Sequence, residues 1–162
     1  MSKERAFAAS VVLDSQFVYI FGGMFDFMIL STIEKYDTLS DAWETVFFEL
    51  PQPLAKLGAC LLDRDSILIC GGMSADFEAT KECYQFYLEK SQWVQMRDMA
   101  SPKLVSSGLV SSHGYAYVIG GSVDQVCERF DPSRDLWATI PSFKRYVGVA
   151  NGLFSYAICL AK

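Results

Sequence analysis

The sequence predicts an all-β fold made of repeated four-stranded antiparallel units, and three observations predict it. A pair of adjacent glycines occurs three times, at Gly22-Gly23, Gly71-Gly72 and Gly120-Gly121, with a spacing of 49 residues each time. Each pair closes a short apolar run, Phe17–Phe21, Ile67–Cys70 and Tyr115–Ile119. An aromatic residue precedes a tryptophan by seven positions in every unit: Tyr36/Trp43, Phe86/Trp93 and Phe130/Trp137. Such a period sets the architecture before any single residue is weighed, because each unit buries its faces only against its neighbours.

Taken in order, the first unit opens with Ala8–Leu13, turns at Asp14–Gln16 and continues as Phe17–Phe21. That second run is apolar without alternation, which suits a strand covered on both faces. Residues 24–31 read as a loop, followed by Thr32–Asp37, a turn at Thr38–Asp41, and Trp43–Leu50. The second unit repeats the order with Leu57–Leu62, Ser66–Cys70, Lys81–Leu88 and Trp93–Met96. The third does so with Val105–Ser111, a His113-Gly114 turn, Tyr115–Ile119, Gln125–Phe130 and Leu136–Ile140. Pro51, Pro53, Pro102 and Pro141 fall at the joints, where a missing N–H harms no ladder. The distance from glycine pair to tryptophan is 21, 22 and 17 residues, so a loop of variable length sits on a constant frame.

An apolar strand ending in Gly-Gly, then Tyr or Phe, then Trp seven residues on, resembles the kelch repeat. The resemblance covers nearly the whole chain. It implies a kelch-type β-propeller arc: three four-stranded antiparallel blades (6–50, 55–97 and 103–140) plus a two-stranded partial fourth at 145–160, in one domain spanning 1–162. The glycines allow sharp turning and close packing, and the Tyr/Phe and Trp side chains supply large apolar area for the wedge between blades. The partial fourth blade, Arg145–Ala150 and Leu153–Leu160 around an Asn151-Gly152 turn, has Cys159-Leu160 where glycines are expected. Propellers close with about four to eight blades, so an arc of this size leaves an apolar face at each end. Two readings follow: a piece of a longer propeller, or two copies pairing into a ring as a homodimer. The charge distribution fits the second, with residues 1–50 at −5 and 101–162 at +2.

Composition excludes several classes of function. In 162 residues the apolar fraction is 51% and the net charge −5, with no basic stripe to neutralise phosphates, so nucleic-acid binding is not expected. No run reaches the roughly 18 apolar residues of a membrane helix, and the start lacks a secretory pattern. The expected location is therefore a reducing cytoplasm.

Candidate chemistry is sparse. Cys60, Cys70, Cys83 and Cys127 occupy slots that sister units fill with apolar residues, and no CxxC occurs, so they read as core. His113 is the only histidine and sits in a tight turn. Asp26, Asp37, Asp41, Asp76 and Asp124 lie in loops or turns where solvation accounts for them. Catalytic and metal sites are not expected, nor is a cofactor.

Loop surface remains. Phe25, Asp26, Phe27 and Met28 follow the first glycines, and Asp76, Phe77 and Glu78 the second. Exposed aromatic and methionine side chains on loops of a rigid scaffold are enriched at binding sites; the competing reading folds them back over the blade edge. Arg5, Lys56, Lys103 and Arg145, each opening a unit's first strand, are expected near the same face. The family resemblance implies a non-catalytic protein–protein interaction module, a scaffold or adaptor binding a partner through loops on one face. Ubiquitin-ligase adaptors and cytoskeletal or actin-binding proteins belong to that family. The alternative is part of a propeller enzyme of oxidase or glycosidase type.

Overall fold

The structure, a computed structural model, describes residues 3–105, 108–121 and 126–141. Its regular structure is all strand, in three four-stranded antiparallel sheets that are the blades of a β-propeller arc. Blade 1 holds β1 (Ala9–Leu13), β2 (Phe17–Phe21), β5 (Ile33–Asp37) and β6 (Ala42–Thr45), with the small hairpin of β3 (Met24–Phe25) and β4 (Met28–Ile29) inserted between β2 and β5. Blade 2 holds β7 (Gly58–Leu61), β8 (Ser66–Met73), β9 (Ala79–Tyr87) and β10 (Gln92–Met96), paired in chain order. Blade 3 holds β11 (Leu109–Ser112), β12 (Tyr115–Val118), β13 (Cys127–Asp131) and β14 (Leu136–Ile140). The partial fourth blade, with Arg145 and Cys159, lies outside the described residues.

The turns explain why the strands pair in this register. His113 and Gly114 both have positive φ (52° and 78°), as a two-residue type I′ turn between Ser112 and Tyr115 requires. Asp37 organises the outer turn of blade 1: Leu39 N–H and Ser40 Oγ–H donate to its carboxylate, as does Gln16 Nε2–H. These donors hold Asp37 down at about 2.

Two expectations need correction. Residues 24–31 are not a plain loop, because Phe25 pairs with Met28 across a two-residue turn. And Gly71-Gly72 do not end their strand: β8 runs on to Met73, with a register shift between Cys70 and Gly72 that marks a bulge at Gly71. Gly71 sits at φ 57°, the left-handed conformation that such a bulge demands.

The glycine pairs serve the joints between blades. A Cβ at Gly22 would run into Leu54 O, and one at Gly71 would lie 2.6 Å from Lys103 O, so these two first glycines admit the next blade's leading backbone. Gly23 N–H and Gly72 N–H donate to those same carbonyls at 2.8 Å.

Two apolar clusters fill the wedges. Val11, Phe21 and Ile33 of blade 1 meet Ile67, Ile69 and Phe86 of blade 2. Cys60, Leu68, Cys70 and Cys83 on the other face of blade 2 meet Ala116, Val118 and Phe130 of blade 3. Each aromatic–tryptophan pair is a cross-strand contact, with centroids 5.0, 4.8 and 5.0 Å apart along the chain. Burial of Phe86 or Phe130 stabilises the wedge by about 1.5–3 kcal/mol each.

Candidate interaction face

The hairpins after the glycine pairs stand on the segments that lead into each blade. Ala6 and Met24 exchange backbone hydrogen bonds at 2.9 and 2.8 Å, and Ala55 bridges Met73 in the same way. One edge of the arc therefore carries both the hairpin tips and the lead-in segments. Those segments are laced together, since Lys56 N–H donates to Phe7 O and Val105 N–H to Lys56 O, both at 2.8 Å.

The tips point outward. Phe27 is 81% exposed and Phe77 54%, while Phe25, Met28, Asp26, Asp76 and Glu78 are also exposed. The side chains do not fold back over the blade. Their backbone is unusual, with Asp26 and Phe27 at φ 46° and 61° and Phe77 at φ 64°. A bulky aromatic residue adopts that region only when the surrounding structure over-determines it. In blade 1 the two-residue turn does so; in blade 2 Ser74 N–H bonds Glu78 O and Phe77 N–H bonds Ser74 O, both at 2.9 Å.

Lys56 lies at this edge, half-buried, with Nζ 4.9 Å from the centroid of the Phe7 ring. Phe7 is exposed and escaped the sequence reading. The signal was available, since Phe7 and Lys56 both stand 15 residues before their first glycine and share a positive φ.

Arg5 and Lys103 are not on the face, which corrects the expectation. The Lys103 side chain is fully buried against Glu128, with Nζ 3.1 Å from Oε1, and it also donates to Val126 O and Ser101 Oγ. The Arg5 side chain is 2% exposed and pairs with Glu34 at 3.3 Å, donating to Gly22 O and Thr32 O. A buried charge persists where a partner and hydrogen bonds replace water. The two pairs are equivalent: Arg5 and Lys103 lie 17 before the first glycine, and Glu34 and Glu128 nine before the tryptophan. Blade 2 has Leu54 and Tyr84 in those slots. Arg145 lies outside the described residues.

The remaining candidates have structural surroundings. Cys60, Cys70 and Cys83 are buried free thiols, and Cys127 is buried as well. Burial pushes Cys60 up to about 12, and burial followed by its hydrogen bond with Cys83 pushes Cys70 up as well. His113 is exposed in its turn, with Nδ1 2.8 Å from Ser112 Oγ. Among the described residues no three His, Cys, Asp or Glu side chains group as a metal ion requires.

Comparison with known proteins agrees with this geometry. The family described as Kelch motif matches residues 4–46, which is blade 1 from Arg5 to Trp43 and slightly beyond. Kelch-like protein 25 of Xenopus tropicalis is 32% identical over 117 residues, covering 70% of this chain and 19% of the relative. Kelch-like protein 26 of Danio rerio is 28% identical over 137 residues, covering 80% of this chain and 22% of the relative. The matched part is thus about a fifth of either relative's length. With three glycine-paired, tryptophan-closed blades in register, the chain belongs to the kelch-repeat family.

Proposed function

We propose that the chain is a non-catalytic protein-interaction module that takes its partner on the edge carrying the hairpin tips. One observation carries this reading: two adjacent blades each hold a phenylalanine, Phe27 and Phe77, exposed at a hairpin tip in left-handed backbone. Exposed aromatic residues on a rigid scaffold give contact area at low conformational cost, and strain retained at a tip points to use. Asp26, Asp76 and Glu78 surround them, so the complementary partner presents apolar anchors flanked by basic groups. The buried free thiols of Cys60, Cys70 and Cys83 fit a reducing cytoplasm as the compartment.

Selection of a displayed random-peptide library on the purified chain tests the reading. Enrichment of apolar sequences flanked by Lys or Arg is expected, with binding lost in the Phe27→Ser, Phe77→Ser double variant while its circular dichroism and melting are unchanged. Failure to enrich any sequence, or enrichment that survives in the double variant, sinks the proposal.

A further inference from the structure

Five of the six methionines lie among the described residues, and the fold sorts them by access. Met99 and Met73 are buried at 2% and 9%, and Met24 and Met96 are half-buried. Met24 and Met73 each follow a glycine pair, where Ala6 and Ala55 of the lead-in segments bridge them. Met96 packs against the wedge between blades 2 and 3. Met28 is 56% exposed. It opens β4 just past the two-residue turn, opposite Phe25, which is itself exposed, and it belongs to neither apolar cluster.

The repeat assigns Met28 a part in the contact surface. Met28 stands six past Gly22 and Phe77 six past Gly71, and the two are exposed to nearly the same degree, 56% and 54%. Blade 1 thus presents a thioether in the slot where blade 2 presents an aromatic ring. A methionine there gives a flexible, polarisable apolar contact that moulds to what it meets. It also gives the face a chemistry that phenylalanine lacks, because peroxides oxidise a thioether sulfur and leave a phenyl ring alone.

We propose that Met28 is an oxidative modification site through which a peroxide releases the partner, a reading that rests on the hairpin-tip edge being the partner face. A lone pair on Met28 Sδ attacks one peroxide oxygen. The S–O bond forms as the O–O bond breaks, and the departing hydroxide takes the proton of the transferred hydroxyl to leave as water. Sulfur loses two electrons and the peroxide gains them. The sulfoxide is polar, and its oxygen must be stripped of water when the face is covered. Because Met28 supports neither apolar cluster, the change falls on binding and spares the fold. Reduction by a methionine sulfoxide reductase resets the site.

Hydrogen peroxide applied to the purified chain tests this, with peptide-resolved mass spectrometry following each methionine. Met28 should gain one oxygen well before Met73 and Met99, with circular dichroism and melting unchanged. The affinity for a peptide taken from the library selection should then fall about tenfold, as burying an unsatisfied polar oxygen predicts, and return after treatment with the reductase. In Met28→Leu the affinity, whatever its starting value, should be the same before and after peroxide. Oxidation of Met28 no faster than Met99 overturns the inference, whether or not any peptide binds. So does an oxidised chain of parental affinity, or a Met28→Leu variant that loses affinity in peroxide as the parent does. Peptide binding that Phe27→Ser, Phe77→Ser abolishes but peroxide leaves intact refutes this inference alone. Absence of any binding peptide refutes the partner-face reading, and the release with it.

Discussion

The Lys103–Glu128 pair offers a sharp perturbation, because blade 2 displays an uncharged substitute in Leu54 and Tyr84. Lys103 is fully buried and Glu128 1% exposed, with Ala100 N–H donating to the other carboxylate oxygen at 2.9 Å. Lys103→Leu removes the cation and leaves a carboxylate out of water; Glu128→Tyr does the reverse. Each single change should cost about 3–5 kcal/mol, the usual range for orphaning a buried charge. At about 2–4 °C per kcal/mol for a chain of this size, that is a fall in Tm on the order of 10 °C. The double variant reproduces Leu54 and Tyr84 of blade 2 and should cost less than either single change, since it leaves no buried charge without its partner. Urea unfolding followed by tryptophan fluorescence measures all four corners of the cycle.

A coupling energy of about 3 kcal/mol or more is the expected result. Additivity, with the double variant as unstable as the two singles together, would refute the claim that these slots act as one interchangeable unit.

Two further outcomes follow from the same geometry. Gly71→Ala should destabilise by more than Gly114→Ala: both have positive φ, costing about 1–2 kcal/mol for any Cβ, but only at Gly71 does the Cβ meet Lys103 O at 2.6 Å, whereas nothing lies within 4 Å at Gly114. Equal melting temperatures for the two variants would show that the blade joint yields easily. Cys60, with its thiol at about 12 through burial, should resist iodoacetamide at pH 8 in the folded chain and react readily in denaturant; its raised value adds stability below the unfolded thiol range of about 8.5 that declines as pH rises from there toward 12. Peptide-resolved mass spectrometry reads the label, and equal rates with and without denaturant would contradict the burial.

The period made the blades legible from sequence alone. The three Gly-Gly pairs and the three aromatic–Trp pairs mark positions where backbone geometry and wedge volume leave few choices of residue, so spacing alone located β2, β8, β12 and the outer hairpins. Strand ends were less legible. β8 continues through Gly71-Gly72 because a bulge absorbs the left-handed glycine without ending the ladder, and no local signal separates a glycine that stops a strand from one that bends it. The hairpin of β3 and β4 was missed for the reverse reason: its turn places Phe27 in a conformation that turn chemistry normally assigns to Asn or Gly.

The misplacement of Arg5 and Lys103 came from reading each charge by itself. A lone basic residue at the start of a strand is best assigned to solvent; Lys56, read in the same way, is half-buried with its Nζ over the Phe7 ring. What separates the cases is the second member of each pair. Wherever the slot 17 before the first glycine holds a cation, the slot nine before the tryptophan holds glutamate: Arg5 with Glu34, and Lys103 with Glu128. Where the first slot is apolar, at Leu54, the second is Tyr84. An internal repeat is thus its own small alignment, and residues that change together between blades are residues that touch. Applied to Trp43, the same comparison sets it beside Trp93 and Trp137, whose indoles pack on the aromatic residue of the neighbouring strand and also donate to the backbone that follows the preceding blade.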